Sequence, residues 1–148
     1  MDILYLIKMT VAGTLGTIGF AFLFCVKPKL MPFAALGGAI ASVVYVFLDM
    51  VGVGLFLSNF LATFTCVIYS IILSRTLKTP SVIFITTAII PLVPGGMLFN
   101  TMINVISKNS DLAMRYAKDS LSVALGIAAG IAIESLMVTA INKIRIKR

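Results

Sequence analysis

The residues best suited to chemistry lie in one apolar stretch. Residues 80–106 read PSVIFITTAIIPLVPGGMLFNTMINVI, interrupted midway by Pro91, Pro94, Gly95 and Gly96. Proline lacks the amide donor and clashes with the preceding turn, so a regular helix cannot run through this segment. A break leaves free amides at one helix end and free carbonyls at the other, together with two dipole ends. The positive end suits a carboxylate, and free carbonyls suit an ammonium group or a cation. Asn100 and Asn104 follow one and two turns beyond the break on one helical face. Each offers a donor and an acceptor. The chemistry implied is reversible binding of a small polar molecule. The competing reading is a plain proline kink whose asparagines hold helices together. Inside a bilayer, freed backbone groups need protein or a water-lined cavity as partners. Discontinuous helices of this kind form the sites of many secondary transporters.

Two carboxylates are the next candidates. Glu134 follows Ser122, Gly126 and Gly130 at four-residue spacing. Small residues at that spacing let a second helix approach closely, which directs Glu134 into a helix contact or a cavity. An ionisable group at such depth is costly and marks a functional position by default. It would bind a proton or a substrate ammonium, or else make a structural hydrogen bond or reach the basic tail. Asp49 shares a weaker face with Ala35, Gly38 and Ser42, at a span edge where water solvates it. Gly13, Gly16 and Gly19, with Thr10, Thr14 and Thr17 close by, read as close helix packing or as a polar lining. The sequence has no readable nucleophile–base pair, paired carboxylates or phosphate loop, so an enzyme reading has little to rest on. Histidine is absent, and Cys25 and Cys66 both lie in apolar stretches. No metal site, disulfide framework or cofactor is expected.

These residues need elements to carry them, and composition says which. Of 148 residues, 60% are hydrophobic and 11% charged, with a mean hydropathy of +1.12. Soluble domains are about a quarter charged, and so few polar groups would not cover a soluble surface. The fold class expected is all-α, a polytopic integral membrane protein with a single membrane domain. Five transmembrane helices are predicted, over residues 3–26, 30–50, 53–74, 80–106 and 119–141, the fourth broken at Pro91–Gly96. Each is near the roughly 20 residues that a bilayer core requires. Pro32 is tolerable in a first helical turn. The fifth helix has a possible earlier start capped by Ser110 or Asp111, and residues 111–118 are expected on the outer surface before the chain turns into that span. The amino-terminal stretch carries Asp2 and Lys8 and no small-residue cleavage site before Lys27, so it is expected to persist as a span.

The net charge is +7, but the basic residues sit at span ends, where orientation bias explains them and nucleic-acid binding is not needed. With five spans, Lys27, Lys29, Arg75 and Lys78 share a side with Lys143, Arg145, Lys147 and Arg148, eight of the 12 basic residues with no acid among them. The expected topology puts the amino terminus outside and the carboxyl terminus in the cytoplasm. A re-entrant fourth segment would force the basic tail outside, so a complete broken span is preferred. Tyr5, Tyr45, Tyr69 and Tyr116 fall near span ends, as interfacial aromatics do.

The stretch AIIPLVPGG, from Ala88 to Gly96, in a small five-span chain with a basic tail, resembles the threonine/serine exporter family. Within it, the chain looks like the small, YjjB-like subunit of the split, two-gene form. The proline–x–x–proline–glycine element, here Pro91, Pro94 and Gly95, is the most specific part, and the likeness covers nearly the whole chain. The resemblance implies export of a small amino acid (threonine or serine) or a small dicarboxylate (succinate) across the bacterial inner membrane. It also implies a larger YjjP-like membrane subunit as partner. Independently, five spans are few to enclose a pathway, and such transporters are commonly built from two repeats. The chain is therefore expected to pair with a related half or with itself. The competing classes are a non-transporting assembly subunit and a homo-oligomeric channel.

Overall fold

A computed structural model describes residues 3–146, apart from the side chains at 134, 135, 138 and 140–146. Among the described residues the fold is all helical: α1 Ile3–Leu23, α2 Met31–Val51, α3 Leu55–Leu77, α4 Ser81–Ile89, a 3-10 turn Ile90–Leu92, α5 Gly95–Ile106 and α6 Ser110–Ile146. Four helices are long and apolar enough to cross a membrane, and Ser81–Leu92 with Gly95–Ile106 makes a fifth if the pair is one span, bent by 43°. The protein is an all-α polytopic membrane protein. A bend of 43° leaves the chain advancing, whereas a re-entrant loop must reverse it. At 1.5 Å per residue the two arms together reach about 36 Å, enough for a core of roughly 30 Å.

The helix ends have local causes. α1 stops short of residue 26 because Cys25 turns left-handed (φ 52°) and the Val26 amide returns to the Ala21 carbonyl at 2.9 Å. Pro32 sits in the first turn of α2, where its missing amide costs nothing. Gly52 (φ 78°) and Gly54 (φ 92°) make the α2–α3 turn in a conformation that side chains disfavour. α3 runs past residue 74 to Leu77 and takes Arg75 into its last turn, where a cation complements the dipole. α6 is the larger departure. It is one continuous helix of 37 residues from Ser110, about 55 Å long. Residues 111–118 are therefore its first turns, not a separate surface segment. DLAMRYAK has no proline or glycine to stop a helix, and most of its residues are good helix formers.

α2 packs between α1 and α3, α4 lies against α2 and α3, α6 runs along α3, and α5 lies along α6. Lipid tails are as apolar as leucine, so close packing rather than exclusion of water drives these associations. Gly13 faces Ser42 and Gly38 faces Thr17, an antiparallel pairing in which each glycine makes room for the other helix's hydroxyl side chain. α6 meets α3 in parallel. A Cβ on Gly126 would lie 2.5 Å from the Phe56 carbonyl oxygen, and one on Gly130 would lie 2.6 Å from Thr63 Cγ2. Small residues also fill the centre, where Ala41, Ala62, Cys66 and Ala88 cluster with Leu92 and Ile127. Large apolar side chains such as Ile3, Leu15, Val82 and Phe99 point outward, where lipid accepts them.

Candidate functional site

The two prolines of the break do different work. Pro94 makes the interruption: Val93 before it is extended (φ −61°, ψ 130°), as the residue preceding a proline is driven to be. Ile90, before Pro91, stays helical (φ −53°, ψ −42°). Pro91 instead lies within the 3-10 turn and seats the break on α1. A Cβ on Gly13 would lie 3.8 Å from Pro91 Cβ, and one on Gly16 would lie 3.9 Å from Pro91 Cγ. Beyond the break, the Gly95 amide donates back to the Val93 carbonyl (2.8 Å), and the first intrahelical bond of α5 runs from Leu98 N–H to the Pro94 carbonyl (3.0 Å). Pro94 supplies no side-chain cap. The amides of Gly96 and Met97 thus lack an intrahelical acceptor at the positive end of α5.

Gly95 and Gly96 are exposed, neither has a positive φ, and a Cβ on either would meet nothing within 4 Å. No packing or backbone demand among the described residues requires them. They leave open space beside the first turn of α5.

The other candidates are dispersed. Asn100 is exposed, and Asn104, half-buried, donates from Nδ2 to the Asn100 carbonyl at 2.8 Å. No residue of α5 is buried, so these asparagines do not line the interior of this bundle. Asp49 is exposed and lies seven residues beyond Ser42, the α2 residue level with Gly13 and Pro91. That is about 10 Å along the helix, and the structure does not bring Asp49 to the break. Ser122 Oγ donates to the Lys118 carbonyl at 3.0 Å, and Gly126 and Gly130 face α3. The side chain of Glu134 lies outside the described residues.

A second set of polar groups was not picked out from the sequence. Ser58, Asn59, Thr63 and Ser70 of α3 are each 1% exposed or less. The hydroxyls of Ser58, Thr63 and Ser70 and Oδ1 of Asn59 have no hydrogen-bond partner among the described residues, while Asn59 Nδ2 donates to the Leu55 carbonyl at 2.7 Å. Other threonines satisfy themselves within their own helices: Thr14 on Thr10, Thr17 on Gly13, Thr65 on Leu61 and Thr87 on Ile83. The α3 groups are exceptions, as is the hydroxyl of Thr10 on α1. Each buried group left unpaired costs about 1–3 kcal/mol, so each calls for a partner. Asn59 and Thr63 lie against Gly126 and Gly130, while Ala62 and Cys66 of the same helix share a cluster with Leu92 at the break. The readable signal was Asn59, Thr63, Cys66 and Ser70 at spacings of four, three and four.

The remaining contacts are structural. Cys66 Sγ donates to the Gly37 carbonyl (3.4 Å), and Tyr69 donates its hydroxyl to the Phe33 carbonyl (2.9 Å). Tyr69 therefore ties α3 to α2. Among the described residues, no three His, Cys, Asp or Glu side chains converge as metal ligands. A pocket of about 470 Å³ lies between the α1–α2 and α3–α4 connections and the first turns of α4, reaching Thr87, one turn before Pro91.

A family model described as "Threonine/Serine exporter, ThrE" matches residues 9–137, which include both prolines of the break and all of α2 to α5. No solved structure matches the chain.

Proposed function

The chain belongs to the threonine/serine exporter family, and we propose that it is one half of a secondary exporter whose substrate crosses beside the break in the α4–α5 helix. Threonine, serine and succinate all carry a carboxylate. The amides of Gly96 and Met97, without an intrahelical acceptor at the start of α5, suit that group. The unpaired oxygens along α3 supply acceptors for an ammonium or hydroxyl group only where α6 separates from α3, since Asn59 and Thr63 lie in the tight contact with Gly126 and Gly130. The single observation behind this reading is that the broken helix shares a core cluster with α3, on which three hydroxyls and one amide oxygen are buried without a hydrogen-bond partner among the described residues.

Enclosure needs a second body. α5 has no buried residue, and Gly95 and Gly96 have open space around them. A larger YjjP-like subunit, or a second copy of this chain, would close that side. The connections carrying Lys27 and Lys78 line one pocket, and α6 runs parallel to α3 toward the same end. In the proposed topology this end is cytoplasmic and the amino terminus is outside, in the bacterial inner membrane. Glu134, one turn beyond Gly130, is proposed as the proton or substrate-coupling group.

The test is efflux of labelled threonine, serine and succinate from preloaded cells lacking their own exporters. The chain with its larger partner is expected to export at least one of them, and the partner alone none. Thr63→Val removes an unpaired hydroxyl without changing shape. It should leave the melting temperature equal or higher and cut efflux about tenfold, the worth of one hydrogen bond of roughly 1.4 kcal/mol. Full efflux by the partner alone would make this chain an assembly subunit, and unchanged efflux with Thr63→Val would remove that hydroxyl from the path.

A further inference from the structure

The pocket at the basic end of the bundle does not match the proposed substrate. Its lining is largely apolar, from Phe24, Val26, Leu30, Val82 and Ile83, and its charged members are Lys27 and Lys78. No carboxylate lines it, so it offers nothing ionic to the ammonium of an amino acid. Its threonine hydroxyls are already committed to backbone: Thr79 to Leu77, Thr86 to Val82 and Thr87 to Ile83. Neither lysine is in an ion pair among the described residues, and both are exposed. Phe24 and Val82 are 52% and 63% exposed, so the pocket opens to whatever surrounds the bundle. At about 470 Å³ it is drug-sized, well beyond what a four-carbon solute fills.

Two cations beside an apolar wall, at the end of a membrane bundle, select a ligand with an anionic head and a hydrocarbon body. Basic pockets between helices hold anionic lipid headgroups by this chemistry. We propose that this pocket binds one anionic phospholipid of the surrounding leaflet, its phosphate held by Lys27 and Lys78 and its upper chain methylenes laid along Phe24, Leu30 and Val82. The assignment is independent of the transport reading and stands or falls apart from it.

Cys25 lines the pocket and is exposed, whereas Cys66 is fully buried. The chain thus carries its own reporter. In uncharged detergent, the rate of Cys25 alkylation by a neutral maleimide is followed while phosphatidylglycerol, phosphatidylcholine or inorganic phosphate is added. Phosphatidylglycerol is expected to slow alkylation; phosphatidylcholine and phosphate are not. Lys27→Gln with Lys78→Gln should raise the protecting concentration of phosphatidylglycerol by about tenfold or more, given roughly 1 kcal/mol per lysine. Lys108→Gln with Lys118→Gln removes the same charge at the other end and should leave protection unchanged. Silence of Cys66 reports that each variant is folded, and the single lysine variants serve if the double one is not. Equal protection by phosphatidylcholine, protection by phosphate alone, or full protection without the two lysines would overturn the proposal.

Discussion

Pro94→Ala is expected to straighten the broken helix and abolish efflux while the chain stays assembled in the membrane. Val93 is extended because proline follows it. Alanine removes that constraint and is about 3 kcal/mol better than proline inside a helix. A continuous helix then gives the Gly96 and Met97 amides the intrahelical acceptors they now lack, and the anion-binding end disappears. The two glycines pose no obstacle, since a Cβ on either would meet nothing within 4 Å, and because straightening must shift α5 along α6, assembly is read separately from membrane abundance. Spin labels at Val82 and Val105, both more than 60% exposed, should report a longer separation than in the wild type. Efflux should fall more than tenfold at unchanged membrane abundance. Pro91→Ala should do less, since Ile90 is already helical. Wild-type efflux through a demonstrably straightened helix would contradict the role given to the break.

Gly126→Leu is expected to be the most damaging change to stability. At this position the neighbours are backbone: the Phe56 oxygen at 2.5 Å and the Phe60 nitrogen at 3.3 Å from an added Cβ. Backbone cannot rotate aside, so α6 would have to leave α3. Overpacking typically costs about 1–3 kcal/mol, and a leucine against backbone belongs at the upper end of a total stability of only about 5–15 kcal/mol. The melting temperature of the purified protein should fall by several degrees or more, with loss from the membrane fraction. Gly19→Leu is the matched control, since nothing lies within 4 Å of its Cβ. Equal melting of the two variants would mean that the α3–α6 contact is not close.

The helices and the break were legible because hydropathy and proline act locally. A predominantly apolar stretch of 21 or 23 residues and a proline pair carry their meaning without knowledge of what lies opposite. The earlier stop of α1 at Leu23, before the left-handed Cys25, and the unbroken start of α6 at Ser110 depend on turn geometry and propensity, which shift helix ends by a few residues. The site was only half legible. Pro91 and Pro94 look equivalent in the sequence, and their division of labour appears only once α1 is seen beneath Pro91. Asn100 and Asn104 share one helical face in the sequence, and on α5, which lies along α6 with no fully buried residue, Asn100 is exposed and Asn104 half-buried. The α3 stripe was passed over because serine and threonine in membrane helices usually bond their own backbone. That three of these hydroxyls and one amide oxygen go without partners is a tertiary fact.

The central claim is that the break lines a hydrated path that the substrate occupies. It is tested most directly at Gly96, where a side chain fits without contact. Gly96→Cys, in a Cys25→Ser background with Cys66 left buried, is expressed with the larger partner and treated with a membrane-impermeant thiol reagent. The account predicts that the cysteine reacts, and that threonine, serine or succinate slows the reaction in proportion to its occupancy. A cysteine that is silent from both sides of the membrane, or that reacts at a rate indifferent to all three solutes, would contradict it.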